Sequence, residues 1–179
     1  NLGFIPPDEF IPIAEKNGDI LAIGEIVLEK VCAFIEEYHP EDYGIKSIHV
    51  NLSVVQCMQE NIGIRLLNII DKYKIPHGLI DFEITESTAD NSSENLDKVM
   101  KEFNKKGIDF SLDDYGTGYS NQSNLMRYPY SIVKIDKSLV WACDSNPKAF
   151  ISLKHTIAMI KDLDMKVLAE GVETQHHID

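Results

Sequence analysis

The residues with the clearest chemical potential lie together in Phe110-Ser-Leu-Asp-Asp-Tyr-Gly-Thr-Gly-Tyr-Ser120. An apolar run that opens at Ile108 stops at two adjacent aspartates. Gly116 and Gly118 follow, and glycine accepts the positive φ angles that a tight loop needs. Two neighbouring carboxylates at the end of a buried strand repel each other and lose hydration together, an arrangement that a nearby cation relieves. Aspartate and glycine are also ordinary turn residues. This stretch alone leaves a metal site and a plain turn both standing.

The same coincidence recurs along the chain. Runs that read as strands end in Asn51 (His-Val-Asn-Leu-Ser), Glu83 (Phe-Glu-Ile-Thr-Glu), Asp113 with Asp114, Lys134 (Val-Lys-Ile-Asp) and Glu170 (Leu-Ala-Glu-Gly-Val-Glu). One polar residue at a strand end is usually just exposed, but a succession of them points to convergence at one mouth. Oxygen donors without cysteine or clustered histidine select hard ions such as Mg²⁺ and Mn²⁺. A carboxamide, carboxylates and a lysine suit metal-assisted hydrolysis of a phosphate ester, with two cations activating water and stabilising the leaving oxygen. Glu170 is then a candidate general base, and Lys134 a candidate to orient the water or offset developing charge.

Alternating strands and helices must carry these residues. Ile5 to Ala14 is a Pro-punctuated lead into a short helix closed near Asn17-Gly18. The spacing of Ile20, Ile23, Val27, Val31, Phe34, Ile35 and Tyr38 predicts a helix with one buried face. Strands are expected over 45–52, 79–85, from Ile108 to Leu112, 131–136 and 166–169. Helices are expected over 62–73, from a capping box of Asn91 and Glu94 towards Gly107, and over 150–163. This alternation predicts an α/β fold with a parallel sheet of βαβ units in one domain. A doubly wound nucleotide-binding sheet would carry a glycine-rich first turn, and neither GxGxxG nor GxxxxGK[ST] occurs. A barrel, with functional residues at successive strand ends, fits better.

Composition narrows the partners. The 179 residues include 17 basic and 29 acidic ones, a net charge of −12, which argues against gripping DNA or RNA through a basic surface. No run approaches the ~20 apolar residues of a membrane helix. Cys32, Cys57 and Cys143 are scattered and odd in number, so neither a disulfide framework nor a zinc site is expected, and a reducing, cytoplasmic setting is. Trp141 is expected to be buried, Met159 and Met165 to fill core, and His176-His177 to be a solvated helix start.

The series Ile5-Pro6-Pro7-x-Glu9-Phe10-Ile11-Pro12, Val50-Asn51-Leu52-Ser53, Glu83-Ile84-Thr85-Glu86-Ser87, Asp113-Asp114-Tyr115-Gly116-Thr117-Gly118-Tyr119-Ser120, Val133-Lys134-Ile135-Asp136-Lys137-Ser138 and Ala169-Glu170-Gly171-Val172-Glu173-Thr174 resembles the EAL-domain family. Those are cyclic di-GMP (c-di-GMP) phosphodiesterases with a TIM-like barrel, and the match runs in the family's order through the whole chain. The resemblance implies that Asn51, Glu83 and Asp113 are metal ligands, that Asp114 serves a second metal, and that Lys134 contacts the catalytic water. It implies that Glu170 is base, metal ligand or both, and that Glu86, with Thr117 and Gly118, supports the loop after Asp114. Asp136 is a candidate for substrate contact. Two Mg²⁺ or Mn²⁺ ions, a homodimer formed through that loop, and fused sensory or GGDEF domains in a parent protein, itself open to membrane anchoring, complete the implied picture.

Two departures accompany the match. The Glu-Ala-Leu segment should precede Ile5 and a Gln-Gly-Tyr segment should follow Glu173, and neither occurs between Asn1 and Asp179. Asn121-Gln122 stands where the family usually has Ser-Leu. The expectation is a TIM-like barrel incomplete at both ends, spanning residues 1–179 and a weak enzyme by itself. Its activity would be hydrolysis of c-di-GMP to linear pGpG. The alternative is an inactive EAL-like module that acts as a c-di-GMP receptor or protein-interaction domain.

Overall fold

Short β-rich runs alternate with helices that each need an apolar face covered, and a parallel sheet covered by those helices satisfies both. The computed structural model describes residues 3–91, 94–117 and 122–178. Strands β1 (Ile48–Asn51), β2 (Ile80–Thr85), β3 (Asp109–Tyr115), β4 (Ile132–Ile135) and β5 (Lys166–Ala169) pair in parallel, each with its neighbour in the chain. Helices α1 (Pro7–Asn17) and α2 (Ile20–Tyr38) precede β1. Helices α3 (Val54–Cys57) and α4 (Ile62–Tyr73) join β1 to β2, and α5 (Glu86–Asn91) and α6 (Glu94–Lys105) join β2 to β3. Helix α7 (Gln122–Arg127) leads into β4, α8 (Lys137–Ala142) and α9 (Pro147–Asp162) join β4 to β5, and α10 (Gln175–Ile178) follows. Strand order equal to chain order, with a helical crossover each time, is barrel topology; a doubly wound sheet reverses direction part-way. Among the described residues, β1 and β5 each pair along one edge.

The core lies between sheet and helices. Ile80, Phe82 and Ile84 of β2 and Phe110 and Leu112 of β3 are buried against Leu66, Ile70, Leu96, Met100 and Phe103. Phe82, Phe103 and Phe110 form a ring triad with centroids 5.6–6.0 Å apart. Side chains alternate along a strand, so Asp81 and Glu83 turn to the opposite, inner face, where they are also buried. Strand β2 thus turns apolar residues to the helices and buried carboxylates to the inner face.

Several sequence expectations are corrected. Helix α2 buries Ile20, Leu28, Cys32 and Ile35, whereas Val27, Phe34 and Tyr38 of the expected stripe are largely exposed, the last two stacked at 5.0 Å. The apolar surface of the helix is wider than the face its packing partner α4 and the sheet can cover, so packing selects which part is buried. Strand β1 begins at Ile48, after a 3₁₀ turn at Pro40–Tyr43, and Ile45 is exposed. Helices α3, α5, α7 and α8 are too short for a periodic signal. Trp141 is 41% exposed rather than buried. The His177 ring is sealed rather than solvated, with Nε2 3.0 Å from Asp144 Oδ1 and Nδ1 accepting the Glu173 N–H. Met159 and Met165 pack against the core. The Asn91–Glu94 capping box lies on side chains outside the described residues. No helix among the described residues is long and apolar enough to cross a membrane.

Candidate active site

Strand β3 does not stop before its aspartates, as expected, but runs through them to Tyr115. Its pairing with β4 passes from Leu112↔Val133 to Tyr115↔Ile135, so β3 holds one residue more than its partner. Asp114 takes a left-handed conformation at φ 55 within this bulge. In a regular strand adjacent residues face opposite ways; a bulge re-aims one of them. Asp113 and Asp114 are thereby held at the same mouth, with Asp114 N–H donating to Asp113 Oδ1 at 3.1 Å.

Lys134, on β4, stands at the centre. Its Nζ lies 3.0 Å from Glu83 Oε1, 2.9 Å from Asp113 Oδ1 and 3.0 Å from Glu170 Oε1, on β2, on β3 and just after β5. An ammonium has three donors, and each meets one carboxylate. Burial by itself would depress the Lys134 pKa, but the bonds to Asp113, Glu83 and Glu170 outweigh it and raise the value. Lys134 is a fixed positive charge. Asp114 is not among its partners: burial first, then Asp113, Asp136 and Glu170, push its carboxyl pKa up, and Lys134 offsets only part.

Close packing places the neighbouring loops. Gly171, following Glu170, has φ 65, and a Cβ there would sit 2.5 Å from Lys137 Cβ on α8. Its carbonyl accepts the Trp141 indole N–H at 2.8 Å, which fixes the backbone next to Glu170. Gly116, at φ 102, lies against Leu139 so closely that any Cβ would overlap that side chain. Buried Glu86 accepts the Gly116 N–H through Oε2 at 3.2 Å, and Thr117 Oγ1 donates to Asp114 O at 2.9 Å. Gly118, the other expected support of this loop, lies outside the described residues. Asp136 caps α8, its Oδ1 accepting the Ser138 N–H at 2.8 Å. Its pKa is lowered chiefly by the Ser138 side chain, and further by this backbone bond. Asn51 ends β1 opposite Glu83 and lines, with Glu83, Asp114 and residues of α1 and α2, a cleft of about 570 Å³.

The family model for the EAL domain matches residues 1–179. The chain belongs to the EAL domain family. It is 34% identical to signaling protein YkoW of Bacillus subtilis over 94% of this chain and 21% of that protein. It is also 34% identical, over 97% of this chain and 25% of the relative, to the bifunctional diguanylate cyclase/cyclic di-GMP phosphodiesterase MucR of Pseudomonas aeruginosa. The chain thus spans about a quarter or less of these curated relatives. The structure of the PaMucR phosphodiesterase in complex with c-di-GMP superposes with a TM-score of 0.88 at 30% identity, covering 99% of this chain and 72% of that one.

Two contacts of this EAL chain escaped the sequence reading. His49 Nδ1 is 2.8 Å from Glu83 Oε1, although the register sets His49 opposite Asp81 and Asn51 opposite Glu83, a relation that exists only once β1 and β2 pair. Ser53 and Gln56 form a reciprocal capping box at α3, just after Asn51, legible as Ser-x-x-Gln.

Whether these residues fit a cation is a matter of charge and geometry. Among the described residues no three His, Cys, Asp or Glu side chains are gathered to hold an ion as they stand. Lys134 Nζ occupies the point on which Glu83, Asp113 and Glu170 converge. The donor chemistry does fit: three carboxylates share one ammonium, the oxygen donors Asn51 and Asp114 line the cleft beside Glu83, and the carboxylates around Asp114 raise its pKa, after burial, by more than Lys134 offsets. Hard divalent ions suit that deficit.

Proposed function

We propose that this chain is the phosphodiesterase unit of a longer signalling protein and hydrolyses one phosphodiester bond of c-di-GMP to give linear pGpG. One observation carries the reading: in an EAL-family chain, carboxylates from three strand ends meet a single lysine within 3.0 Å. Asn51, Glu83, Asp113, Asp114 and Glu170 would hold Mg²⁺ or Mn²⁺, with two ions balancing the acidic excess. When bound, the ions withdraw negative charge from the phosphodiester as it is attacked. Glu170, the most exposed of the three carboxylates on Lys134, is placed to accept a proton from the attacking water. Lys134 holds that water and offsets charge developing on the phosphoryl oxygens. Water oxygen adds to phosphorus, the ester P–O bond breaks, and a proton reaches the leaving oxygen.

Glu86 and Thr117 keep the turn after Asp114 in shape, and Asp136 stands near the substrate while capping α8. Residues 1–179 act as one catalytic unit in the cytoplasm, fused to sensory or GGDEF domains and paired as a homodimer through the loop after Asp114. A second reading, a non-hydrolysing c-di-GMP receptor, is favoured by one feature: Lys134 already contacts one oxygen of each of three carboxylates that would bind metal.

Turnover of c-di-GMP with Mn²⁺ by the protein at its full natural length separates the two. We expect pGpG from the wild type, and from Glu170→Gln retained nucleotide binding without turnover. Nucleotide binding without turnover by the wild type would establish the receptor, and undiminished turnover by Glu170→Gln would remove that residue from the mechanism.

A further inference from the structure

Glu83 is held by two groups, and only one of them belongs to the chemistry proposed above. Lys134 reaches Oε1 from β4, and His49 reaches the same oxygen from β1 at 2.8 Å. A carboxylate only accepts, so the bonded His49 Nδ1 carries the proton. The other ring nitrogen, Nε2, lies 3.3 Å from the Ser47 hydroxyl, which can donate to it. Both ring nitrogens are thus used, and one neutral tautomer satisfies both partners. A rival acceptor is close by: Asp81 Oδ1 lies 3.7 Å from the same Nδ1, beyond hydrogen-bond length. The other Asp81 oxygen, Oδ2, lies 3.3 Å from the Ser131 hydroxyl, which is equally close to the Phe110 carbonyl. The His49 proton is therefore committed to Glu83.

We propose that His49 is a positioning residue for metal binding: by fixing Oε1 of Glu83 it aims the second oxygen, Oε2, at the mouth where a divalent ion would be held. This rests on the reading of Glu83 as a metal ligand. A group that orients a ligand in this way typically changes metal affinity by 10–100-fold when lost. His49 is itself partly exposed along the cleft beside Asn51 and Glu83, so the ring forms part of the wall that a cation would pass.

The test is a titration with Mn²⁺ alone on the full-length protein, monitored by the spin resonance of free Mn²⁺, with no turnover required. His49→Ala is expected to weaken binding at the site about 10-fold or more. Two polar variants keep the result interpretable if alanine impairs folding. Asparagine places its amide N–H near the position of Nδ1, and glutamine places its own near Nε2. His49→Asn should restore most of the affinity and His49→Gln should not. Equal affinity of the Asn and Gln variants, or wild-type affinity in a folded His49→Ala, overturns the positioning role. Glu83→Gln serves as the control. Weaker Mn²⁺ binding by that variant upholds Glu83 as a ligand whatever His49 does. Unchanged binding overturns the ligand reading and this inference with it. In turnover assays the His49→Ala defect should lie in the Mn²⁺ concentration needed for half-maximal rate, with kcat recovering at saturating Mn²⁺.

Discussion

Replacing Lys134 by methionine tests the charge balance of the site most directly. Methionine keeps most of the buried aliphatic stem and removes only the charged head. Three carboxylates then lose a partner at 2.9–3.0 Å. At an effective dielectric of about 20, each contact carries roughly 5 kcal/mol of Coulomb attraction before desolvation is subtracted. Removing one partner of a buried ion pair typically costs ~3–5 kcal/mol. Lys134 is 14% exposed, but Glu170 is 34% exposed and sheds part of the penalty to solvent. The net expectation is a loss of ~2–4 kcal/mol in EDTA. At about 2–4 °C per kcal/mol for a chain of this size, the melting temperature should fall by roughly 5–15 °C.

Mn²⁺ should reverse much of that loss, because the ion replaces the missing charge, and its stabilising shift should exceed that of the wild type. The pH dependence has a definite sign. The folded-state pKa of Lys134 is raised, so its contribution is complete below the unfolded lysine value of ~10.4 and disappears as pH rises through the folded value. The gap between wild type and variant should therefore stay flat from neutrality to about pH 10 and close only above it. Melting curves in EDTA and in Mn²⁺ read all of this. A Lys134→Met melt that matches the wild type in EDTA, or a Mn²⁺ shift no larger than its own, would refute the account of Lys134 as the counter-charge.

Asp114→Asn should have the opposite sign. Burial, then Asp113, Asp136 and Glu170, raise the Asp114 pKa, so the ionised group costs stability above its folded pKa, and the cost vanishes as pH falls below the unfolded value of ~3.9. The variant should be more stable than the wild type at pH 7 in EDTA, with a gain that shrinks towards pH 4 and turns to a deficit in Mn²⁺, as urea denaturation would show. Gly116→Ala should cost ~2–3 kcal/mol through its left-handed backbone and the overlap with Leu139, and adding Leu139→Ala should remove the overlap but not the backbone strain. Thiol labelling should follow unfolding: burial pushes Cys32 up to about 11 and Cys57 up to about 12, so both should react only on opening, after the more accessible Cys143. Labelling of Cys57 at the rate of a free thiol would contradict its burial.

Much of this molecule was written along the chain, because its decisive signals are local. Period-2 apolar runs marked the strands, the Ile62–Tyr73 stripe marked α4 to the residue, and polar residues at strand ends marked the mouth of a barrel. The ordered motif series carried the family. The relations between strands were decided only in three dimensions. Nothing local announces that β3 holds one residue more than β4, yet that bulge turns Asp113 and Asp114 to one side. Lys134 was legible as a residue, but not as the common partner of Glu83, Asp113 and Glu170, which lie 21 or more positions away in the chain. His49 and Trp141 carried no periodic signal at all; parallel register sets one beside Glu83, and α8 sets the other beneath Gly171. Hydrophobic period is a property of one segment and can be read from it. Register, the buried part of a broadly apolar helix and the sharing of one ammonium are properties of packed pairs, and they exist only once the segments meet.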